Sequence, residues 1–317
     1  MKKKIAMMVA ALALGASFLF PFKGNGAGPE VSTDLLKAHV AALTRISPPR
    51  NSVNIASLDK AAEYIKAAFL KTGAESYFQH YSNEHGDFKN VVLRINPNMT
   101  DVVVVGAHYD VFGDFPGADD NASGVAGLLE LARLLTATWT SKEVSLELVA
   151  YGSEEPPFFG TREMGSAGHA RYMAKQFRRV RAMIALEMIG FFSDARRSQR
   201  YPQRGMEQAY PDTGNFIAIV GRTEETSLLA RVKKAMTGVS ALPVQSIAAP
   251  ASVTGVNFSD HRNYWEVGFP AIMVTDTAFY RNPSYHTAGD TIDTLDFARM
   301  AEVVKGVHAA VMDLARE

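Results

Sequence analysis

The sequence predicts an α/β protein: a single-domain, three-layer α/β/α sandwich whose mixed, mostly parallel sheet is covered by helices on both faces. Two observations carry this. Extended apolar runs alternate with stretches of helical periodicity along most of the chain. The 317 residues are 47% hydrophobic and 21% charged, ordinary globular usage, with no repeat, low-complexity tract or linker to split them.

In chain order, helical periodicity covers residues 34–43 and 58–70, where Ala61, Tyr64, Ile65 and Phe69 share one face. Residues 90–95 and 102–107 read as strands, 124–135 as a helix, 144–151 as a strand, 166–176 as a helix and 183–188 as the next strand. A polar insertion follows over 193–213, rich in arginine and proline and placed to border the cleft and gate access. Strand 216–220, helix 227–237, strand 271–275 and a closing helix over 297–315 complete the series. In such sheets ligands collect beyond the carboxyl ends of the strands.

The N-terminus has the layout of a signal peptide: Lys2, Lys3 and Lys4, an apolar run over 5–20, then a small polar stretch over 23–28. The run is short for a spanning helix, which needs about 20 residues, so export to the periplasm or beyond is expected. Residues 1–27 are the expected leader, cut near Ala27 or kept as an anchor because Asn25 suits cleavage poorly, and 28–317 the expected catalytic domain. The leader holds four lysines and no acid, so the remaining chain carries a net charge of about −4.

Lys plus Arg and Asp plus Glu both number 33, which lacks the basic footprint of a nucleic-acid binder. The absence of cysteine excludes disulfides, thiolate metal sites and cysteine nucleophiles. Any metal must then sit on His, Asp or Glu.

Polar clusters stand at the strand ends. Strand 102–107 runs into His108, Tyr109 and Asp110, followed by Asp119, Asp120 and Asn121; strand 144–151 runs into Glu154 and Glu155; Glu187 ends the strand from Met183; a later turn delivers Tyr285 and His286. Each has an ordinary reading alone: a hydrogen-bonded histidine, aspartates capping the next helix, a solvated acidic loop. Glu187 resists one, because it interrupts an apolar run where an unpaired carboxylate costs several kcal/mol. Acids gathered at one sheet edge repel unless divalent cations neutralise them, and imidazole with carboxylate donors favours zinc, with cobalt or manganese as substitutes. No His-Glu-x-x-His helix, Gly-x-Ser-x-Gly elbow or phosphate-binding glycine loop competes.

Six strings, GAHYD (106–110), PGADDNASG (116–124), SEEPPFFGT (153–161), LEMIG (186–190), FSDH (258–261) and YHTAGDT (285–291), together resemble the secreted di-zinc aminopeptidases, a family that includes aminopeptidase Y, glutamate carboxypeptidase and the glutaminyl cyclases. The resemblance runs from about Asp34 to the C-terminus. It implies that Asp119 bridges two zinc ions, that His286 and Glu155 complete one site and His108 and Glu187 the other, and that Glu154 is the general base for a metal-bridging hydroxide. It further implies that Asp110 accepts a hydrogen bond from His108 and that Tyr285 stands near the developing oxyanion. Most members of the family carry Asp where this chain has Glu187, which puts the second zinc site in question. Asp120 is read as a helix cap, and His261 with Asp260 as pocket structure around the site. Phe158, Phe159, Phe258, Trp265 and Phe279 either line an apolar pocket for the first side chain of the substrate or belong to the core.

The function implied is an exported exopeptidase, monomeric, that removes N-terminal residues from peptides with a free N-terminus. A glutaminyl cyclase, or a carboxypeptidase taking its basic pocket from Arg222, Arg262 or Arg281, is the alternative on the same fold. A non-catalytic binding protein is disfavoured because every polar residue of the motifs is in place, and a di-metal phosphatase because ligand order and spacing do not suggest one.

Overall fold

The computed structural model describes residues 30–83 and 85–316; the expected leader over 1–27 lies outside the described residues. Among the described residues no helix is long and apolar enough to cross a membrane.

Eight strands form one sheet: β1 (Glu75–Asn83), β2 (Gly86–Ile95), β3 (Asp101–His108), β4 (Val144–Tyr151), β5 (Arg179–Glu187), β6 (Ile217–Gly221), β7 (Val244–Ala248) and β8 (Ala271–Thr275), in the spatial order β1-β2-β4-β3-β5-β8-β6-β7. The four central strands β4, β3, β5 and β8 run parallel to one another, whereas β1 and β2 on one side and β6 on the other join antiparallel. All four central strands therefore end at the same edge. His108 lies level with Tyr151, and Glu187 with Thr275.

Among the described residues the α-helices are α1 (Thr33–Thr44), α2 (Ile55–Leu70), α3 (Gly124–Thr138), α4 (Gly165–Lys175), α5 (Thr226–Thr237), α6 (His261–Glu266) and α7 (Phe297–Leu314). Every residue of β3 and β4 is buried, because helices cover both faces. Val103, Val105 and Ala107 of β3 pack into the larger core with Leu36, Ile65, Leu128, Leu229 and Val307 of α1, α2, α3, α5 and α7. Val102 and Val104, pointing the other way, join Met173, Tyr264 and Trp265 of α4 and α6. Two helix N-termini follow capping rules: Ser32 Oγ accepts from the Leu35 amide and Asp296 Oδ1 from the Arg299 amide.

The expected strands and long helices form within a few residues of their anticipated ends. Three further elements, β1, β7 and α6, form where the sequence alone signals none. β1 is an edge strand whose Glu, Gln, His and Ser residues break the apolar pattern, β7 is a half-exposed edge of five residues, and α6 has only six. Edge strands carry polar residues because one side of them faces water.

Gly106 sits mid-strand in β3, where a Cβ would run into the buried Tyr151 ring. Gly106→Ala is expected to destabilise the protein by about 1–3 kcal/mol through overpacking, read as a lower urea midpoint with an unchanged slope.

Candidate functional site

The edge where the central strands end collects the polar residues anticipated there. β3 delivers His108, β5 delivers Glu187, and the turn after β4 delivers Glu154 and Glu155, with Ser153 in the left-handed region at φ 60°. All five of His108, Asp110, Glu154, Glu155 and Glu187 are buried. Asp110 organises the turn: its two carboxylate oxygens accept the amides of Glu154 and Glu155, each at 3.0 Å, and Oδ1 stands 3.4 Å from His108 Nδ1.

The loop before α3 brings a difference from the sequence expectation. Asp120, not Asp119, stands between the two histidines, with Oδ1 3.3 Å from His108 Nε2 and Oδ2 3.0 Å from His286 Nε2. The Asp119 side chain turns the other way, where Oδ1 accepts the Gly190 amide at 3.0 Å and Oδ2 accepts Asn282 Nδ2 at 2.8 Å. The reason is the backbone path. Gly117 takes a left-handed conformation at φ 60°, where a Cβ would collide with Val111 and the Asp120 carbonyl, and the Asp119 and Asp120 amides are both held by the Asp290 carboxylate, at 2.8 and 3.0 Å. Asp120 therefore caps no helix.

Three groups of ligand-type atoms lie within 4.8 Å of one another among the described residues: His108, Asp120 and Glu187; Asp120, Glu155 and His286, which shares Asp120 with the first; and His108, Glu154 and Glu155. Asp120 Oδ1 and Glu155 Oε1 are buried and carry no hydrogen bond of good geometry. Buried carboxylate oxygens without donors, beside imidazole nitrogens and with no thiolate, suit a hard or borderline divalent cation. Glu187 is steadied by the Ser259 hydroxyl, which donates to Oε2 at 2.6 Å, while Oε2 also lies 3.4 Å from His108 Nε2. The longer side chain thus reaches the cluster. Glu154 is in neither of the two groups that share Asp120 but joins His108 and Glu155 in the third, with its Oε2 3.9 Å from His108 Nε2.

The crowding is legible in the titration of the groups. Burial pushes the Glu154 carboxyl well above the usual carboxylate range, with Glu155 and Glu187 adding to the rise against the pull of His108. Burial and Asp120 lift Glu155 to about 8. Burial opposes charge on His108, yet the surrounding Glu187 and Glu154 hold its imidazole well above its ordinary value. Asp120 goes the opposite way, held low despite burial by the two histidines.

His286 is clamped between rings, with Phe112 at 4.0 Å and 3° on one face and Tyr285 at 3.8 Å and 16° on the other. Tyr285 thus contacts the cluster through its ring, and its hydroxyl has no hydrogen-bond partner among the described residues. His261 stays away from the cluster: Nε2 bonds the Val256 carbonyl at 2.8 Å and the ring meets Trp265 edge-on. Asp260 is buried with neither oxygen in a hydrogen bond of good geometry, and burial lifts its carboxyl to about 7 against the pull of His108. Of the anticipated aromatics, Phe258 and Phe279 line an apolar cavity beside Glu187, Phe159 packs edge-on against Phe258, and Phe158 and Trp265 are core.

Several residues that shape the site carried no recognisable sequence signal. Arg50 is buried beside the acids and donates to the carbonyls of Tyr109, Pro116 and Gly117 at 2.8, 2.8 and 2.7 Å, lacing together the loops that present Asp110 and Asp120. Asp276, Asn282 and Asp290 lie far away in sequence, and only Asp290 belongs to one of the six strings. Of the three arginines considered for a carboxylate pocket, Arg222 pairs with Glu225, Arg262 covers the Phe159 ring, and Arg281 is buried against Gln199.

Two outcomes follow. Arg50→Leu leaves three buried carbonyls without their donor and should cost about 3–5 kcal/mol in chemical denaturation. Burial holds the His261 imidazole down at about 4 against an ordinary 6.5, so the unfolded chain takes up the proton first as the pH falls. The stability advantage of wild type over His261→Gln should be full above pH 6.5 and shrink by about 3 kcal/mol on going to pH 4, measured by urea unfolding at each pH.

Comparison with known proteins places this geometry. The model of peptidase family M28 matches residues 90–311, well over half of the chain. The uncharacterized protein YfbL of Escherichia coli K12 is 47% identical over 284 residues, covering 87% of this chain and 86% of its own length. The probable aminopeptidase YDR415C of Saccharomyces cerevisiae is 26% identical over 274 residues, covering 80% of this chain; the chain spans 66% of the yeast protein. BSAP, a zinc aminopeptidase from Bacillus subtilis, shares the fold at a TM-score of 0.71 and 15% identity, over 89% of this chain and 94% of that one. With the M28 pattern running across strands β3 to β8 and relatives along most of its length, the chain belongs to peptidase family M28 and is a peptide-bond hydrolase.

Proposed function

We propose that the protein is an exported, zinc-dependent aminopeptidase that releases the N-terminal residue of peptides. One observation carries the reading: Asp120 offers one oxygen to the His108 side of the cluster and the other to the His286 side, the arrangement of a carboxylate shared between two cations. In this reading His108, Asp120 and Glu187 hold one zinc and Asp120, Glu155 and His286 the other. The bridging role moves from Asp119 to Asp120, and Asp119 becomes a support for the loop. The aminopeptidase names of the yeast relative and the Bacillus structure favour the same reading, and the N-terminal layout favours export.

Zinc, when bound, supplies Lewis acidity for the scissile carbonyl and for water. The remaining work falls to side chains. Glu154 stands beside His108 and Glu155 but is in neither of the two groups that share Asp120, which leaves its carboxylate to take a proton from the attacking water and return it to the leaving amine. Asp110 fixes the turn that presents Glu154 and Glu155 by accepting their two successive amides. Tyr285 fixes the His286 ring by stacking, and its unpartnered hydroxyl is available to an oxyanion. Acids left over at the site attract the free ammonium of the substrate.

Glu154→Gln should keep its zinc, assayed by elemental analysis, and lose turnover by about 10²–10⁴-fold; wild-type turnover in this variant overturns the role. Chelation should abolish release of amino acids from aminoacyl-p-nitroanilides and zinc should restore it, while N-terminal acetylation of the substrate should prevent it. Cyclisation of glutaminyl peptides, or cleavage of blocked peptides alone, would instead favour the cyclase or carboxypeptidase reading.

A further inference from the structure

An apolar cavity begins at Glu187 and Thr275 and extends over the sheet face of β6 and β7. Its volume is about 270 Å³, with Phe216, Phe258 and Phe279 on the sheet and loop side. The opposite wall comes from the connection between β5 and β6, through Tyr201, Met206 and Tyr210. This stretch reads as polar in sequence, with arginines, glutamines and prolines, yet it turns two tyrosine rings and a methionine toward the cavity.

The wall is pinned at both ends. At its start, Gln199 is buried; its side-chain oxygen accepts Arg281 Nε at 2.8 Å and its amide nitrogen donates to Thr277 Oγ1 at 2.9 Å. The Arg200 amide and Nη2 donate to the carbonyls of Tyr280 and Phe279, each at 2.9 Å. At its far end the Tyr210 hydroxyl donates to the Ser246 carbonyl of β7 at 3.3 Å, and the Tyr201 and Tyr210 rings lie 5.7 Å apart. Held this way, the segment gives the cavity a defined size.

We propose that residues 199–210 form the specificity wall of this peptidase and that the pocket they close selects a bulky aromatic N-terminal side chain, up to an indole, over an aliphatic one. The volume decides the size class. An enclosed apolar cavity of about 150 Å³ takes a benzene ring; this cleft, open on one side, offers about 270 Å³, room for an indole, and a leucyl side chain in it touches fewer wall atoms and gains less dispersion attraction. Flat faces from Tyr201, Tyr210, Phe258 and Phe279 suit stacked or edge-on partners. Arg281 acts as a positioning residue here: it does not line the cavity and holds Gln199, the start of the wall.

The inference rests on the aminopeptidase reading, and the test separates the two. Rates on tryptophanyl, phenylalanyl, leucyl and alanyl p-nitroanilides are compared for wild type, Met206→Trp and Met206→Ala. Wild type should favour tryptophanyl and phenylalanyl over leucyl. Met206→Trp fills the pocket and should lower the ratio of kcat/KM for the two aromatic substrates to that for alanyl by about 10-fold or more, in the range that pocket contacts achieve. Arg281→Lys should raise KM for aromatic substrates by a larger factor than KM for alanyl. A wild-type preference for leucyl, or a Met206→Trp effect equal on aromatic and alanyl substrates, overturns the wall.

Binding of L-tryptophanol and L-alaninol, which cannot be hydrolysed, is measured by calorimetry on the same three proteins. If no substrate with a free N-terminus is turned over, the aminopeptidase reading fails; the wall then stands if tryptophanol binds wild type at least about 10-fold more tightly than Met206→Trp, and falls if the two bind it equally.

Discussion

Negative charge gathered in a buried space is the constraint on which the rest of this structure depends. Asp110, Asp120, Glu154, Glu155 and Glu187 are all buried at one edge of the sheet, within reach of the imidazoles of His108 and His286. Carboxylates in low dielectric repel and resist ionisation unless cations or donors compensate them. The chain meets part of that cost itself. Backbone amides of Glu154 and Glu155 face Asp110, the Ser259 hydroxyl faces Glu187, and Arg50 lends its positive charge from the loop side. Asp120 Oδ1 and Glu155 Oε1 keep no hydrogen bond of good geometry, and both residues belong to the groups of ligand-type atoms.

The topology explains why such crowding is possible. Four parallel strands stop at one level, so four separate chain segments deliver their next residues to one place without any of them being close in sequence. The strands themselves are apolar on both faces and anchored by two cores, so the unfavourable edge is carried by a rigid body. Around that edge runs an outer ring of buried polar groups. Asp290 holds the amides of Asp119 and Asp120, Asn282 holds the Asp119 carboxylate, and Asp276 accepts the Phe191 and Ala278 amides. The first two of these place the backbone of Asp120, which faces the histidines. Arg281 continues the ring outward to Gln199, which makes the wall of the apolar cavity part of the same framework.

The long connection between β5 and β6 accordingly has two faces. Its solvent side carries the charged and polar residues that make it look like a surface insertion, and its inner side carries Tyr201, Met206 and Tyr210. Loops that bear function on a rigid scaffold commonly have this composition, because specificity can vary there without disturbing the core.

The sequence by itself determined the layering, the central strands and the long helices, because periodicity is local, and it singled out His108, Asp110, Glu154, Glu155, Glu187 and His286, which the fold brings to one edge because the motif strings sit where strands end. It missed β1, β7 and α6, whose short or polar stretches gain their form from neighbours that periodicity cannot see. Only the tertiary structure decided which of Asp119 and Asp120 faces the histidines. Adjacent residues of one type are indistinguishable in a string, and the choice was made by the left-handed turn at Gly117 and by Asp290, a partner some 170 residues away. Arg50, Asn282 and the apolar face of the 199–210 segment were likewise settled in three dimensions, since a side chain's role there is defined by what folding brings against it.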